Sequence, residues 1–233
     1  FWAYTRAENG FLPNHFSQKE QKNKFYIEPS YMVGKVVPNY IKNFPSTQLQ
    51  HAINVDVGIV RQDTSNLWSK YYNYPKTGVS FFASSIGNNK IFGTQFAILP
   101  YISFDIFKKK KRNLSLKLGL GASYFSTHYH PTENSRNLDI GSPFTWAFQS
   151  FIYKDIYHNK GLKFKLGMGY SHASNGHTQL PNLGLNSALI SISAQFNKPN
   201  LSPFTPPAKN KLLKKKSYTI SLERGLGFHE FGS

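Results

Sequence analysis

Apolar and polar residues alternate with a period of two along most of the chain, the spacing of an extended strand whose two faces meet different surroundings. In NLSLKLGLGASYF, Leu114, Leu116, Leu118, Leu120 and Ala122 share one parity, and Ser115, Lys117, Gly119, Gly121 and Ser123 share the other. LKFKLGMGYSHAS repeats the pattern, with Leu162, Phe164, Leu166, Met168 and Tyr170 set against Lys163, Lys165, Gly167, Gly169 and Ser171. AINVDVGIV, GTQFAILPYISFDIF, SALISISAQF and SYTISLERGLGF alternate in the same way, and no segment carries a convincing helical period. Strands are expected at 25–35, 48–62, 78–87, 91–107, 112–126, 145–157, 162–174, 186–196 and 217–228.

Two architectures alternate like this: a soluble sandwich and a transmembrane barrel. These strands exceed the usual five or six residues of a soluble sheet and suit a hydrocarbon layer, which takes about 9 to 11 residues per strand. The fold expected is therefore all-β, an antiparallel transmembrane β-barrel of the outer-membrane type, with the apolar parity facing lipid. Residues 1–24 form an N-terminal segment without an assigned element, and the barrel is expected over 25–233. Nine strands is an odd count and single-chain bacterial barrels have even ones, so the barrel is expected to continue beyond Ser233. Gly119, Gly121, Gly167 and Gly169 leave interior room for larger residues such as Tyr101, and Trp68, Tyr71, Tyr72, Tyr124, Phe125 and Trp146 are candidates for interfacial girdles. With a periplasmic N-terminus, KKKKRN after Phe107 and HNKG after Tyr157 fall inside, while 127–144 and 175–185 fall outside. The connection from Asn197 to Lys216 is long for a periplasmic turn.

The balance of 28 Lys and Arg against 11 Asp and Glu gives a formal charge of +17, which favours an anionic partner. The cations sit in short runs such as Lys108–Arg112 and Lys211–Lys216, with no zinc-finger, helix-turn-helix or RNA-binding pattern, so no nucleic acid is expected. With no cysteine, disulfides and thiolate metal sites are excluded. His128, His130 and Glu133 in HYHPTEN have spacings a metal could use, but a solvated loop is the commoner explanation; no metal and no cofactor are expected.

The chemistry concentrates in YSHASNGHTQLPNLGLNSALIS, residues 170–191. The lipid-facing parity of its first strand continues through His172 to Ser174, and that of the next strand includes Asn186 just past the loop. Polar groups at a lipid face cost free energy unless they are paired or have reached the headgroup layer. A nucleophilic serine needs a base within hydrogen-bond reach and a third group to hold that base, and His and Ser at i and i+2 with a cross-strand partner can meet that geometry.

The run HASNGHTQLPNLGLN resembles the signature of the PagL-type outer-membrane lipid A deacylases, a His-x-Ser-Asn element followed by an Asn- and Gly-rich hairpin and a catalytic acid. It is most similar to an acyloxyacyl hydrolase-like branch of Bacteroidota, which shares SNG followed by PNxGxN; YPKTGVSFFASSIGNN and ENSRNLDIGS extend the likeness more loosely. The resemblance implies a barrel in the bacterial outer membrane that removes an ester-linked acyl chain from lipid A, the lipid anchor of lipopolysaccharide. It assigns Ser174 as nucleophile, His172 as general base, and Asn175 with Gly176 as candidates for the oxyanion hole. The family acid is a Glu twelve residues after the serine, and Asn186 stands there. Asn186 can orient an imidazole but stabilises its cation less than a carboxylate does. The outcome is a slower site, a site served by another acid such as Glu133 or Asp139, or a silent site. Lys35, Lys42 and Arg136 are candidates for contacts to lipid A phosphates. The alternative reading is a catalytically silent barrel acting as an accessory subunit of a larger outer-membrane complex.

Overall fold

The computed structural model describes residues 24–39, 43–61, 67–72, 74–106, 113–159 and 161–197. The alternating segments form eight strands: β1 (Lys24–Val37), β2 (Gln50–Val60), β3 (Lys76–Ser85), β4 (Thr94–Asp105), β5 (Leu114–Phe125), β6 (Phe144–Asn159), β7 (Leu162–Ser174) and β8 (Leu185–Asn197). Each pairs antiparallel with its sequence neighbour, and β8 pairs with β1 to close the barrel. Closure satisfies the strand edges, which hydrocarbon could not solvate. A single helical turn, α1 (Leu67–Tyr71), lies between β2 and β3. The segment expected as a ninth strand, 217–228, and the connection from Asn197 to Lys216 beyond its first residue lie outside the described residues.

Val37 is opposite Asn186 and Gly34 opposite Gln50, so the connections 38–49, 86–93, 126–143 and 175–184 gather at one end. The ends of β2, β4 and β6 and the starts of β3, β5 and β7 lie at the other, with the start of β1 and the end of β8. The stretches 127–144 and 175–185, expected on one side, share the first end, and His158, Asn159 and Gly161 of HNKG lie at the second; Lys108–Arg112 of KKKKRN lie outside the described residues.

The apolar parity points outward: Ile53 is 62 % exposed and Met168 65 %, while their neighbours Asn54 and Gly167 are buried. A contiguous apolar wall of this extent is a membrane surface rather than a soluble one. A soluble sandwich is thereby ruled out, because a single closed sheet presents its apolar side to the surroundings. Of the expected girdle residues, Trp68, Tyr71 and Tyr72 are exposed at one end and Tyr124 and Trp146 at the other. Phe125 is a correction: it follows Tyr124 on the opposite parity and is fully buried inside.

The interior mixes polar and apolar layers. Lys117 Nζ lies 2.5 Å from Asp56 Oδ2, and Lys165 Nζ lies 2.5 Å from Glu28 Oε2, both pairs sequestered from solvent. Ser80 and Asn54 donate to Asp56, and Ser193 donates to Glu28, so the buried carboxylates are amply satisfied. The room that admits Tyr101 comes from Gly58 and Gly78, where an added Cβ would meet its hydroxyl at 2.4 Å and 2.6 Å, rather than from Gly119 and Gly121. Gly167 and Gly169 make the corresponding room for Tyr153 and Phe151.

A second apolar cluster, including Val36, Ile86, Ile91, Phe92, Phe125, Ile140, Ala173 and Leu185, fills the barrel mouth at the end of the long connections. Ile91 and Phe92, expected to begin β4, belong to this plug. The Asn88 side chain accepts from Ile91 N, and Gly93 adopts φ +63°, which makes this apolar run a turn and delays the strand to Thr94.

Candidate active site

β7 ends at the mouth that carries the long connections, with Tyr170, His172 and Ser174 on its outward face. Across β6, Ser174 is opposite Trp146 and His172 opposite Phe148; across β8, His172 is opposite Asn186 and Tyr170 opposite Ala188. Barrel pairing thus sets the three polar side chains at the upper margin of an apolar wall. His172, Ser174 and Asn186 are half-buried and Tyr170 is exposed.

His172 Nδ1 lies 2.7 Å from Asn186 Oδ1, and Tyr170 Oη donates to the same oxygen at 2.5 Å. Asn186 Nδ2 donates to Asn39 Oδ1 at 3.1 Å. Asn39 follows β1 and in turn donates through Nδ2 to the Gly184 carbonyl at 2.9 Å and to Asp139 Oδ1. Asp139, from the β5–β6 connection, is buried, and burial pushes its carboxyl up to about 6 against a smaller opposing effect of the Asn39 amide. Its Oδ2 is also buried and has no protein partner among the described residues.

Ser174 Oγ accepts from Asn182 Nδ2 at 2.8 Å and from Gly176 N at 3.2 Å. Asn182 is oriented by its other end, where Oδ1 accepts from Asn175 N at 3.1 Å, so its amide hydrogens can only face the serine. With both lone pairs of Oγ occupied, the serine proton is the group left to donate. His172 lies two residues away on the same face, about 6 to 7 Å along the strand, and no direct bond joins it to Ser174 in this resting arrangement. Such bonds commonly tighten only when substrate is bound.

The loop itself is braced by Asn175. Its Nδ2 donates to Ser142 Oγ at 3.1 Å and to Gln179 O at 2.8 Å, and its Oδ1 accepts from His177 N at 3.0 Å. Every polar group on Asn175 that could serve an oxyanion is therefore committed elsewhere. Gly176, at φ +68° with open space where a Cβ would stand, does aim its N–H at the serine. Of the two residues expected at an oxyanion hole, Gly176 presents its N–H to Ser174 Oγ and Asn175 does not, while Asn182 supplies the second donor to that oxygen.

Ser174, His172 and Asn186 are thus brought together, and Asn182, Asn39 and Tyr170 join them without having been singled out in sequence. Asn182 carried a local signal, a polar residue between Pro181 and Leu183 in a loop of fixed turns. Asn39 carried none, because it reaches the site only through closure of β1 on β8. The substitute acids part company: Glu133 is exposed in the turn bridged by His130 and Asn134, whereas Asp139 is buried two hydrogen bonds from Asn186 through Asn39. Lys35 is exposed on the outward parity opposite Ala188, Arg136 is exposed in the β5–β6 connection, and Lys42 lies outside the described residues.

A family model described as lipid A 3-O-deacylase (PagL) matches residues 53–195. Among solved structures, the outer membrane enzyme PagL superposes with a TM-score of 0.50 at 15 % identity, covering 71 % of this chain and 97 % of its own. Neisserial surface protein A gives 0.43 at 12 % identity, covering 76 % and 99 %. The Yersinia pestis outer membrane protein Ail gives 0.40 at 12 % identity, covering 72 % and 99 %. No curated protein sequence matches the chain.

Proposed function

The chain belongs to the lipid A 3-O-deacylase (PagL) family of the bacterial outer membrane, and from that premise we propose that it removes an ester-linked acyl chain from lipid A by a serine–histidine mechanism at its outward wall. The observation that carries this reading is the setting of Ser174 Oγ, held by two donors, Asn182 Nδ2 and Gly176 N, on the same outward face as a histidine bonded at Nδ1.

Substrate enters sideways from the outer leaflet. Its acyl chain lies against the apolar outward row below the site, which includes Phe148, Met168 and Ile190, and its ester reaches the rim at Ser174. His172 Nε2 takes the serine proton as Oγ attacks the ester carbonyl carbon. Gly176 N and Asn182 Nδ2, which hold Oγ at rest, turn their hydrogen bonds to the adjacent oxyanion as an Oγ lone pair forms the new bond to carbon. The tetrahedral intermediate collapses with loss of the lipid A hydroxyl, which takes the proton from His172. Water, deprotonated by the same imidazole, then releases the fatty acid and restores the serine.

Mass spectrometry of lipid A from cells carrying the wild-type protein, Ser174→Ala or no protein tests this reading. A species lighter by one acyl group in the wild-type cells alone is expected. Identical lipid A in all three would overturn it and favour the silent-barrel alternative, which Asn186 in place of the family's Glu motivates.

A further inference from the structure

Asn186 raises a problem that a carboxylate at the same position would not. The two oxygens of a carboxylate are equivalent, so either rotation offers His172 an acceptor. An amide offers an acceptor in one rotation and a donor in the other, and the two rotations select opposite imidazole tautomers. With an acceptor at Nδ1 the proton sits on Nδ1 and the Nε2 lone pair is free to take the serine proton. With a donor there, the proton moves to Nε2 and the base is lost.

The surroundings fix the rotation from one side. Asn39 Nδ2 faces two groups that can only accept, the Gly184 carbonyl and the Asp139 carboxylate. Turning Asn39 over would set its own oxygen against both. Its Oδ1 must therefore face Asn186, whose Nδ2 donates to it at 3.1 Å. That bond leaves Asn186 Oδ1 for His172 Nδ1 at 2.7 Å and for the Tyr170 hydroxyl at 2.5 Å. Along the series Asp139, Asn39, Asn186, His172, each side chain takes its orientation from the one before.

We infer that Asn39 and Asp139 are positioning residues that hold the Asn186 amide in the single rotation that makes His172 a base. The inference rests on the serine–histidine reading for its consequence in catalysis, but its structural content, the tautomer of His172, is separate from any reaction. It also accounts for a buried acid at the outer mouth that touches neither His172 nor Ser174. The carboxylate orients the histidine without contacting it, so Asn186 transmits geometry and not charge.

The test uses the full barrel, selectively labelled with ¹⁵N-histidine, in detergent or lipid nanodiscs, together with a deacylation assay on lipid A. In the wild type the ¹⁵N shifts of His172 should report protonation at Nδ1. Asn39→Leu, which removes both the amide donor and the carbonyl, should mix the two tautomers and lower kcat by about three- to tenfold with little change in KM, the loss expected of one neutral hydrogen bond. Asp139→Leu, which removes the acceptor that holds Asn39, should behave like Asn39→Leu. In an Asn186→Glu background, where rotation has no meaning, Asn39→Leu should cost less than about twofold, and this non-additivity is the signature of orientation. If Asn39→Leu does not assemble, Asp139→Leu takes its place in the same cycle. A His172 that keeps its Nδ1 proton in both leucine variants, or equal losses in the Asn186 and Glu backgrounds, would overturn the inference while leaving the deacylase reading intact. A wild-type protein without deacylase activity, but with a tautomer that responds to Asn39→Leu, would overturn the deacylase reading and uphold the positioning.

Discussion

Gly184 lies against the imidazole edge of His172: a Cβ added there would come within 2.9 Å of His172 Cε1, at a backbone φ of +75°. Both the space and the left-handed backbone call for glycine. The same residue lends its carbonyl to Asn39 and its N–H to the Asp139 carbonyl, so it joins three parts of the site. Gly184→Ala is expected to push the ring off its axis and reduce deacylation by about a hundredfold, the usual cost of an ångström-scale misplacement. The strands do not depend on it, so heat-modified mobility on gels should be unchanged. Wild-type turnover in this variant would show that the ring tolerates displacement and would refute the packing argument.

Asn182 separates orientation from donation. Asn182→Ala removes a donor to Ser174 Oγ that the proposed mechanism gives to the oxyanion, and a loss of about 10² to 10³ in kcat is expected, as where such donors have been removed from serine hydrolases. It also frees Asn175 N, so a loss by itself leaves loop distortion as an explanation. Asn182→Asp keeps an acceptor for Asn175 N while removing the donor and placing an oxygen of like charge beside the oxyanion. An equal or larger fall in kcat with Asp, KM being nearly constant, is expected from steady-state assays on lipid A. Recovery of activity with Asp would mean that Asn182 serves the loop alone.

The interior ion pairs make a stability prediction. Glu28 binds Lys165 and Ser193 within the barrel, and both charged side chains are almost entirely buried. Glu28→Leu leaves Lys165 uncompensated and should cost about 3 to 5 kcal/mol in urea unfolding. Replacing both residues, Glu28→Leu with Lys165→Met, should recover most of that loss, because it removes the desolvated charge itself. Additive losses in the double variant would contradict the pairing.

The parts legible in the sequence are those that depend on local alternation. β7 was expected at 162–174 and runs Leu162–Ser174, because its Lys and Gly residues alternate without a break. Phe125 has the aromatic character of a girdle residue, but its inward parity places it in the core. Ile91 and Phe92 look like strand residues, but the Asn88 side chain and the positive φ of Gly93 make a turn there and β4 starts at Thr94. The same boundary separates the two halves of the site. His172, Ser174 and Asn186 share one hairpin, and parity alone placed them together. Asn39 lies 147 residues from Asn186 in sequence and meets it only because β1 pairs with β8, a contact that no local pattern encodes.

The acid at the end of this chain of amides should be visible in stability against pH. Burial raises the Asp139 carboxyl from 3.8 to about 6, the Asn39 amide opposes that rise, and no ionic group contributes. The folded protein therefore holds a proton on Asp139 between about pH 4 and pH 6 that the unfolded chain has released. Across this window the native state binds more protons than the unfolded state, so the contribution of Asp139 to stability falls as pH rises, being most favourable below 3.8 and fully unfavourable above about 6. This sign is opposite to that of a carboxylate stabilised by a cation. Asp139→Asn removes the titration while keeping the side chain's size and an acceptor for Asn39. In urea unfolding at fixed temperature, the difference in stability between Asp139→Asn and wild type should grow in favour of the variant from pH 4 to pH 7 and then level off. A difference that stays constant across this range would mean that Asp139 ionises in the folded barrel as it does in the unfolded chain, and that its carboxylate is solvated at the outer mouth.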